Sequence, residues 1–408
     1  MKKKVLIVGG GFAGIAAAKS FMNTDFEVTL IDKKNHHLFQ PLLYQVASAS
    51  LSPADISAPI REILAGGKNI KVLLDEVVDI DKNNKLVLTS SNVSHQYDYL
   101  ILSPGARPFY YGNESWKDFA PGLKTIEDAL TIRNKMLKSF EECERSNEKS
   151  LNFVIIGAGP TGVELAGAFA EIAYDILSKE FRDFDPTKAK IYLIEGGKEV
   201  LPAYSGMLSK KAKGYLEDLG VTVLTRSRVK EIKKGIVVLE DDEICSENII
   251  WAAGNKASPL LMKLEVKLDR MGRVEVNNDL SIPEYSNIYV LGDSAHLKNS
   301  KGKPLPSLAP VASQQGRHVS KQIKKSKSLP FKYIDKGSMA TIGNYKAVVN
   351  FHGLKVTGLF AWLSWSFIHI LFLIDFRNRL MVFIQWAFAF FFNSKGVRII
   401  TDRQSLDE

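Results

Sequence analysis

The chain has 408 residues, 45% hydrophobic and 24% charged, the balance of an ordinary globular protein with room for two or three domains. Its net charge of +9 suits phosphates or an acidic membrane surface; no RNA-binding signature, helix-turn-helix or zinc-finger spacing accompanies that charge, so nucleic acid is not an expected partner. Its two cysteines, Cys143 and Cys245, lie in separate segments without a C-x-x-C, which excludes a thiol redox pair close in sequence and leaves no metal site expected.

Lys2-Lys3-Lys4 has the charge of a signal-peptide start, but only four apolar residues follow, too few for a secretory core, so no export signal is expected. Those four, Val5 to Val8, read as a buried strand. Gly9-Gly10-Gly11-Phe12-Ala13-Gly14 comes next, then a helical stretch from Ile15 to Phe21. A second apolar run, Val28 to Ile31, ends on Asp32. Strand, glycine turn, helix, strand and acid is the order of a dinucleotide site. The glycines let the backbone approach a pyrophosphate, the helix N-terminus offers N–H groups, and the acid accepts from a ribose. Residues 54–64 read as a short amphipathic helix. Strands are expected at Ile70 to Leu74, Val77 to Ile80, Leu86 to Leu88 and Tyr97 to Leu102. The last of these runs into Ser103-Pro104-Gly105-Ala106, a turn where backbone can approach a ligand.

After a charged helix from about Ile126 to Glu148 the opening pattern returns. Asn152 to Ile156 is a strand, Gly157-Ala158-Gly159-Pro160-Thr161-Gly162 a second glycine turn, Val163 to Ile176 its helix, and Ile191 to Ile194 a strand ending on Glu195. A duplicated unit is far more specific than one copy and implies two dinucleotides. Two such sites on one chain suggest electron transfer between a bound flavin, in the N-terminal unit, and a diffusible nicotinamide. Glu195 in the ribose position favours NADH, because a carboxylate repels a 2′-phosphate; Arg226 and Arg228 downstream leave NADPH open. Glu164, just past the last glycine, either complements the helix dipole or handles protons at the reaction centre. Asp293, at the end of the strand Asn287 to Asp293, either reaches the flavin or forms a turn. A helix from about Pro310 to Lys325 follows. His318, His352 and His369 are isolated and read as packing or surface residues.

The last seventy residues change character. Gly358 to Ile374 and Leu380 to Phe392 are almost wholly apolar, roughly 25 Å and 20 Å long as helices, with Asp375-Phe376-Arg377-Asn378-Arg379 between them. Each is short against a bilayer core of about 30 Å. Their aromatic content and flanking cations suit helices lying in a membrane interface; a packed hairpin or two short spans are the alternatives.

These motifs together resemble a type II NADH dehydrogenase, the single-subunit, non-proton-pumping NADH:quinone oxidoreductase family. The likeness runs through Gly9 to Gly14, Phe39 to Ala47, Ser103 to Ala106, Gly157 to Ala166, Trp251 to Gly254, Leu291-Gly292-Asp293, Ala309 to Gly316 and Phe376 to Arg379. The resemblance implies an α/β fold of two Rossmann-like domains plus a C-terminal helical membrane-anchoring domain. It places a discontinuous FAD domain at 1–115 and 270–328, an NADH domain at 116–269 and the membrane-associated domain at 329–408. FAD is implied at Gly9, Gly10, Gly11, Phe12, Ala13, Gly14, Asp32, Lys33, Gln40, Val77, Ser103, Gly105, Asp293, Ala312 and Ser313, and NADH at Gly157, Gly159, Gly162, Glu195 and Gly254. Glu164 is the implied acid near the reaction centre. At the quinone end many members carry Ala-Gln-x-Ala where this chain has Ala309-Pro310-Val311-Ala312, so a hydrogen bond from position 310 is lost, while Gln314 is retained. The implied partners are a lipid surface and a quinone, ubiquinone or menaquinone, with a homodimer through the C-terminal domain also open. The implied location is monotopic, on the cytoplasmic face of the cell inner membrane. A sulfide:quinone reductase shares this architecture but needs redox cysteines flanking the flavin. A non-enzymatic NADH-sensing flavoprotein is the alternative outside enzymes.

Overall fold

A computed structural model describes residues 2–146, 150–204, 206–392 and 396–400. In chain order its main elements are β1 (Lys4–Val8), α1 (Phe12–Phe21), β2 (Glu27–Asp32), α2 (Leu43–Ala47), β3 (Ile70–Leu74), β4 (Tyr99–Leu102), α3 (Ile126–Ser146), β5 (Asn152–Ile156), α4 (Pro160–Glu171), β6 (Lys190–Glu195), α5 (Gly206–Asp218), β7 (Val221–Thr225), β8 (Asn248–Trp251), β9 (Tyr285–Val290), α6 (Ala309–Lys325), β10 (Ser338–Thr341), β11 (Ala347–Phe351), β12 (Leu354–Thr357), α7 (Leu359–Phe372) and α8 (Phe376–Phe392). They fall into two compact units, one of residues 1–38, 57–107 and 255–335, the other of residues 39–56, 108–254 and 336–408.

The first unit is built on a sheet ordered Ser281–Ile282, β9, β4, β1, β2, β3, parallel throughout except for the Ser281–Ile282 edge. β1 sits at its centre, and Val5 to Val8 are buried, as expected for a parallel strand covered on both faces. A three-stranded antiparallel meander, Val77–Asp81, Leu86–Thr89 and Ser94–Gln96, is inserted before β4. The expected helix over 54–64 is not formed. That stretch is a turn at Pro53–Asp55, a short strand Ser57–Pro59 paired with His36–Leu38, and a four-residue helix Ile60–Ile63. Pro59 has no N–H to give a helix ladder and steers the residue before it to an extended conformation.

The second unit repeats the plan in a four-stranded parallel sheet ordered β7, β6, β5, β8. It too carries a three-stranded meander, Glu231–Lys233, Ile236–Val238 and Glu243–Cys245, before its last strand. α3 starts on a reciprocal cap: the Asp128 carboxylate accepts from the N–H groups of Lys124 and Thr125, and Thr125 Oγ1 accepts from Asp128 N–H. The helix is described as far as Ser146, so its expected end at Glu148 lies outside the described residues. α4 begins at Pro160, not Val163, because proline suits a first helical position. It ends at Glu171 and continues as one wider turn over Ile172–Ile176.

The C-terminal part of the second unit holds a sheet that the motif reading missed, the antiparallel β10-β11-β12. Its signal was present in Ala347 to Thr357, two short apolar runs about His352-Gly353. α7 and α8 follow, joined through Asp375, whose φ is +77°, and held by Arg379 Nε donating to the Leu373 carbonyl at 2.8 Å. α7 buries Ala361, Trp365 and Ser366 but exposes Phe360 and Phe367; α8 buries Val382 and exposes Phe376, Phe383 and Phe391. Among the described residues no helix is long and apolar enough to cross a membrane.

Candidate functional site

In the first unit the Gly9 to Gly14 turn is shaped by contacts that exclude side chains. Gly9 has φ +99°, and a Cβ on Gly14 would stand 1.8 Å from the Gly9 carbonyl oxygen. Around Gly11, by contrast, the space a Cβ would take is open, and no side chain caps α1 there. The first N–H groups of a ten-residue helix are therefore left uncapped beside open space, where a phosphate can approach. Asp32, at the end of β2, accepts from Gly10 N–H at 2.5 Å and from Lys34 N–H at 2.6 Å. Each carboxylate oxygen keeps a further lone pair for a ribose hydroxyl. Burial raises the pKa of Asp32, opposed by those two N–H donors.

His37 underlies the turn. It is buried, its Nδ1 pairs with the Gly10 carbonyl at 2.9 Å, and its ring meets Phe12 edge to face. Burial lowers its pKa to about 4, so it is the neutral Nδ1–H tautomer that donates. Ser103 Oγ donates toward the carbonyls of Val8 and Gly9, both at 3.1 Å, and Gly105, with φ +74°, accepts from Ser258 N–H and Ser294 Oγ. Val77 is buried at the start of the meander, while Lys33 is exposed and paired with Glu76 at 3.5 Å. Asp293 lies in a turn over Gly292–Ser294 just past β9, and Gln315 Oε1 accepts from Gly292 N–H at 2.6 Å. Ala312 and Ser313 stand near the start of α6, which has Pro310 in its first turn and no side-chain cap. The amide of Gln314 is engaged at both ends by the backbone of Ile334. Thus α1 and α6 each begin without a side-chain cap, α1 after a turn whose close contacts exclude side chains and α6 beside Gly292, whose φ is +66°, and these residues fit a flavin dinucleotide.

The second unit reproduces the turn. Gly157 has φ +103°, and a Cβ on Gly162 would stand 1.9 Å from the Gly157 carbonyl oxygen; the space at Gly159 is open. Glu195 accepts from Ala158 N–H at 2.9 Å and from Gly197 N–H at 2.7 Å, as Asp32 does from Gly10 and Lys34. Arg228 lies against Gly196, while Arg226 N–H donates to the Gly197 carbonyl. Gly254 closes β8 with φ +103°, its carbonyl accepting from Phe109 N–H. Gln40 belongs to this unit, its amide donating to the Lys124 carbonyl at 3.1 Å.

The same unit encloses a cavity of about 410 Å³. Its walls include Tyr44, Gln45, Glu164, Trp362, Trp365 and Trp386. Trp365 stacks between His369 and Trp386, at 4.2 and 5.1 Å between ring centroids. Trp386 Nε1 donates to Gln45 Oε1 at 2.8 Å, and Gln45 Nε2 donates to the Tyr44 hydroxyl at 2.9 Å. Glu164 is the fifth residue of α4, beyond the first turn, so the helix dipole acts weakly on it. It is 8% exposed. Burial raises its pKa well above the ordinary carboxyl value, opposed by the Thr341 N–H that donates to it, so the protonated form is favoured. The sequence did not single out Gln45, Trp386 or the Thr341 N–H, because they meet only through the fold. Neither cysteine is in a disulfide: Cys143 is buried on α3, and Cys245 is exposed at the end of its strand.

With this geometry in hand, the chain matches the pyridine nucleotide-disulphide oxidoreductase family over residues 3–316 and the NDH2 C-terminal domain over residues 336–394. It is 38% identical to the type II NADH:quinone oxidoreductase Ndh of Mycobacterium tuberculosis, over 99% of this chain and 91% of that one. In fold it is similar to an NDH2 from Plasmodium falciparum solved in complex with NADH, at TM-score 0.90 and 22% identity, over 98% of this chain and 100% of that one. It is less similar to the sulfide:quinone oxidoreductase of Aquifex aeolicus, at TM-score 0.76 and 19% identity, over 96% of each chain.

Proposed function

Because the chain belongs to the type II NADH:quinone oxidoreductase family, we propose that it oxidises NADH with a bound FAD and reduces a quinone, without pumping protons. The observation that carries this reading is the duplicated glycine turn, each copy with an acid fixed to the backbone beside its first glycine. One chain thereby offers a permanent seat and an exchangeable one. FAD, when bound, supplies the two-electron chemistry that links hydride donation by NADH to reduction of the quinone.

The N-terminal seat takes FAD. Gly9 to Gly14 and the start of α1 receive its pyrophosphate, and Asp32 its ribose. Ser103, Gly105, Asp293, Ala312 and Ser313 hold the remainder, with Lys33 and Val77 at its margins. Residues 1–115 and 270–328 form this domain, 116–269 the NADH domain and 329–408 the C-terminal one. Gly157, Gly159, Gly162 and Glu195 bind NADH, with Gly254 beside them. Glu195 rejects a 2′-phosphate by charge, its carboxylate already fixed by two N–H groups.

The cavity receives the quinone ring. Its aromatic walls match a flat apolar headgroup, and burial keeps water from Glu164. Pro310 has no amide to offer and Gln314 uses its own on Ile334, so the cavity walls carry quinone recognition. Burial favours the protonated form of Glu164, which gives up its proton as charge develops on the quinone. The exposed apolar faces of α7 and α8 rest on one leaflet, on the cytoplasmic side of the cell inner membrane, helped by the net charge of +9.

A sulfide-oxidising reading finds no paired thiols to support it. An absorbance spectrum of the purified protein tests the cofactor and the donor together. One FAD per chain is expected, bleached rapidly by NADH and slowly by NADPH. A colourless protein, or one bleached equally by both, removes the assignment of the two seats.

A further inference from the structure

Quinone reduction consumes two protons, and the mechanism above uses one carboxyl group. The same cavity wall carries a second. Glu171 is 4% exposed and lines the cavity with Glu164. The two are seven residues apart on α4, two turns along one face and about 10 Å in helical rise. Gly167 lies between them on that face. A Cβ there would stand 2.6 Å from the backbone nitrogen of Gly343, so only glycine lets the turn after β10 lie down on the helix. The end of β10 and that turn supply each carboxyl group with a backbone donor, Thr341 N–H to Glu164 and Asn344 N–H to Glu171.

Tyr44 is the third proton-bearing group on this wall, and it is 5% exposed. Its oxygen accepts from Gln45, whose amide is fixed from its other end by Trp386, so its own O–H is the end left to donate into the cavity. Burial first, and then the Glu164 and Glu171 carboxyl groups whenever either is ionised, raise the Tyr44 pKa well above its ordinary value, so the hydroxyl keeps its proton. Tyr345 also lines the cavity and feels Glu171 and, from the wide turn after α4, Asp175.

We propose that Glu171 is a second proton carrier of the cavity, working with Glu164 through the Tyr44 hydroxyl, so that the two quinone oxygens draw on two separate carboxyl groups. The inference rests on the quinone reading of the cavity. In the step, two O–H bonds form on the quinone and two carboxyl O–H bonds break. The electron pair comes from NADH. The carboxylates regain two protons, one from the hydrogen that NADH delivers and one H⁺ taken up from the solvent, so the sum is NADH plus H⁺ plus quinone giving NAD⁺ plus quinol. Glu171 is a relay residue, since it acts through Tyr44.

The test uses full-length, flavin-loaded protein carrying Glu171→Gln, which keeps an oxygen for Asn344 N–H but cannot carry a proton. Turnover is measured with NADH and decylubiquinone, and separately with ferricyanide, which accepts electrons and no protons. Turnover with decylubiquinone is expected to fall about 10-fold or more, with a larger solvent deuterium effect and an altered pH profile. The ferricyanide rate is expected within about 2-fold of wild type, because acid catalysis has no part in it. Glu171→Asp, which still carries a proton, should recover part of the loss. Tyr44→Phe, on a different element, should reproduce the quinone-only loss. Wild-type quinone turnover in Glu171→Gln, or equal loss with both acceptors in both Glu171→Gln and Tyr44→Phe, overturns the relay. Wild-type protein unable to reduce decylubiquinone at all would overturn the quinone reading itself, and the relay with it.

Discussion

Asp32 and Glu195 hold the same position in two different sheets, each fixing the backbone beside the first glycine of its turn while leaving lone pairs for a ribose. Glu164 works the other way. Burial outweighs the Thr341 N–H at its carboxyl group and favours the protonated form. Glu164→Gln should therefore slow the quinone half-reaction about 10-fold or more, and leave flavin reduction by NADH nearly unchanged. Stopped-flow measurement of the two half-reactions checks this, and equal effects on both would remove Glu164 from the proton path. His37 and His369 set the response to acid. His37 is buried and His369 half-buried, and loss of hydration lowers both to about 4. The unfolded chain takes these protons below about pH 6.5, whereas the folded chain resists until about 4. Their contribution to stability is thus complete above the unfolded value and drains as the pH falls between the two, by about 2–3 kcal/mol for each ring. Urea midpoints measured from pH 7 to pH 4 should fall accordingly. His37→Asn, which keeps a donor for the Gly10 carbonyl, should flatten the slope.

At the scale of elements, α4 is the member on which the second unit depends. Its N-terminus completes the second glycine turn, and its Glu164-Gly167-Glu171 face carries the turn after β10. Gly167→Val should push that turn away, costing about 1–3 kcal/mol by overpacking and weakening quinone turnover more than NADH binding. Thermal unfolding together with the Michaelis constants for the two substrates measures both effects. This contact also explains what was legible in advance. The two glycine turns and their acids were readable because each is local, a fixed spacing of residues that must touch. The cavity was not, because it joins α2, α4, the turn after β10 and α8 across more than three hundred residues of chain. The stretch 54–64 misled because its apolar spacing suited a helix while Pro59 forbade one. The β10-β11-β12 sheet was overlooked because the apolar helices after it dominate the composition of the tail.

For the whole molecule, the family places an NADH oxidation site and a quinone site on one chain. The exposed apolar faces of α7 and α8 are the proposed means of reaching a quinone pool. Phe360, Phe376 and Phe391 are the most exposed aromatic side chains there, each at 76%. Replacing all three with glutamate should abolish sedimentation with anionic phospholipid vesicles while sparing the ferricyanide rate. Undiminished sedimentation would count against these helices as the lipid contact, and a change of oligomeric state would point to a subunit interface instead. The central claim is that one bound flavin connects the two reactions. The most direct test is anaerobic: reduce the protein's flavin with one equivalent of NADH, then mix it with decylubiquinone and follow the flavin absorbance. The account predicts full reoxidation, one quinol per flavin, at a rate that supports steady-state turnover. A flavin that stays reduced in the presence of the quinone, yet is reoxidised by ferricyanide, would contradict it.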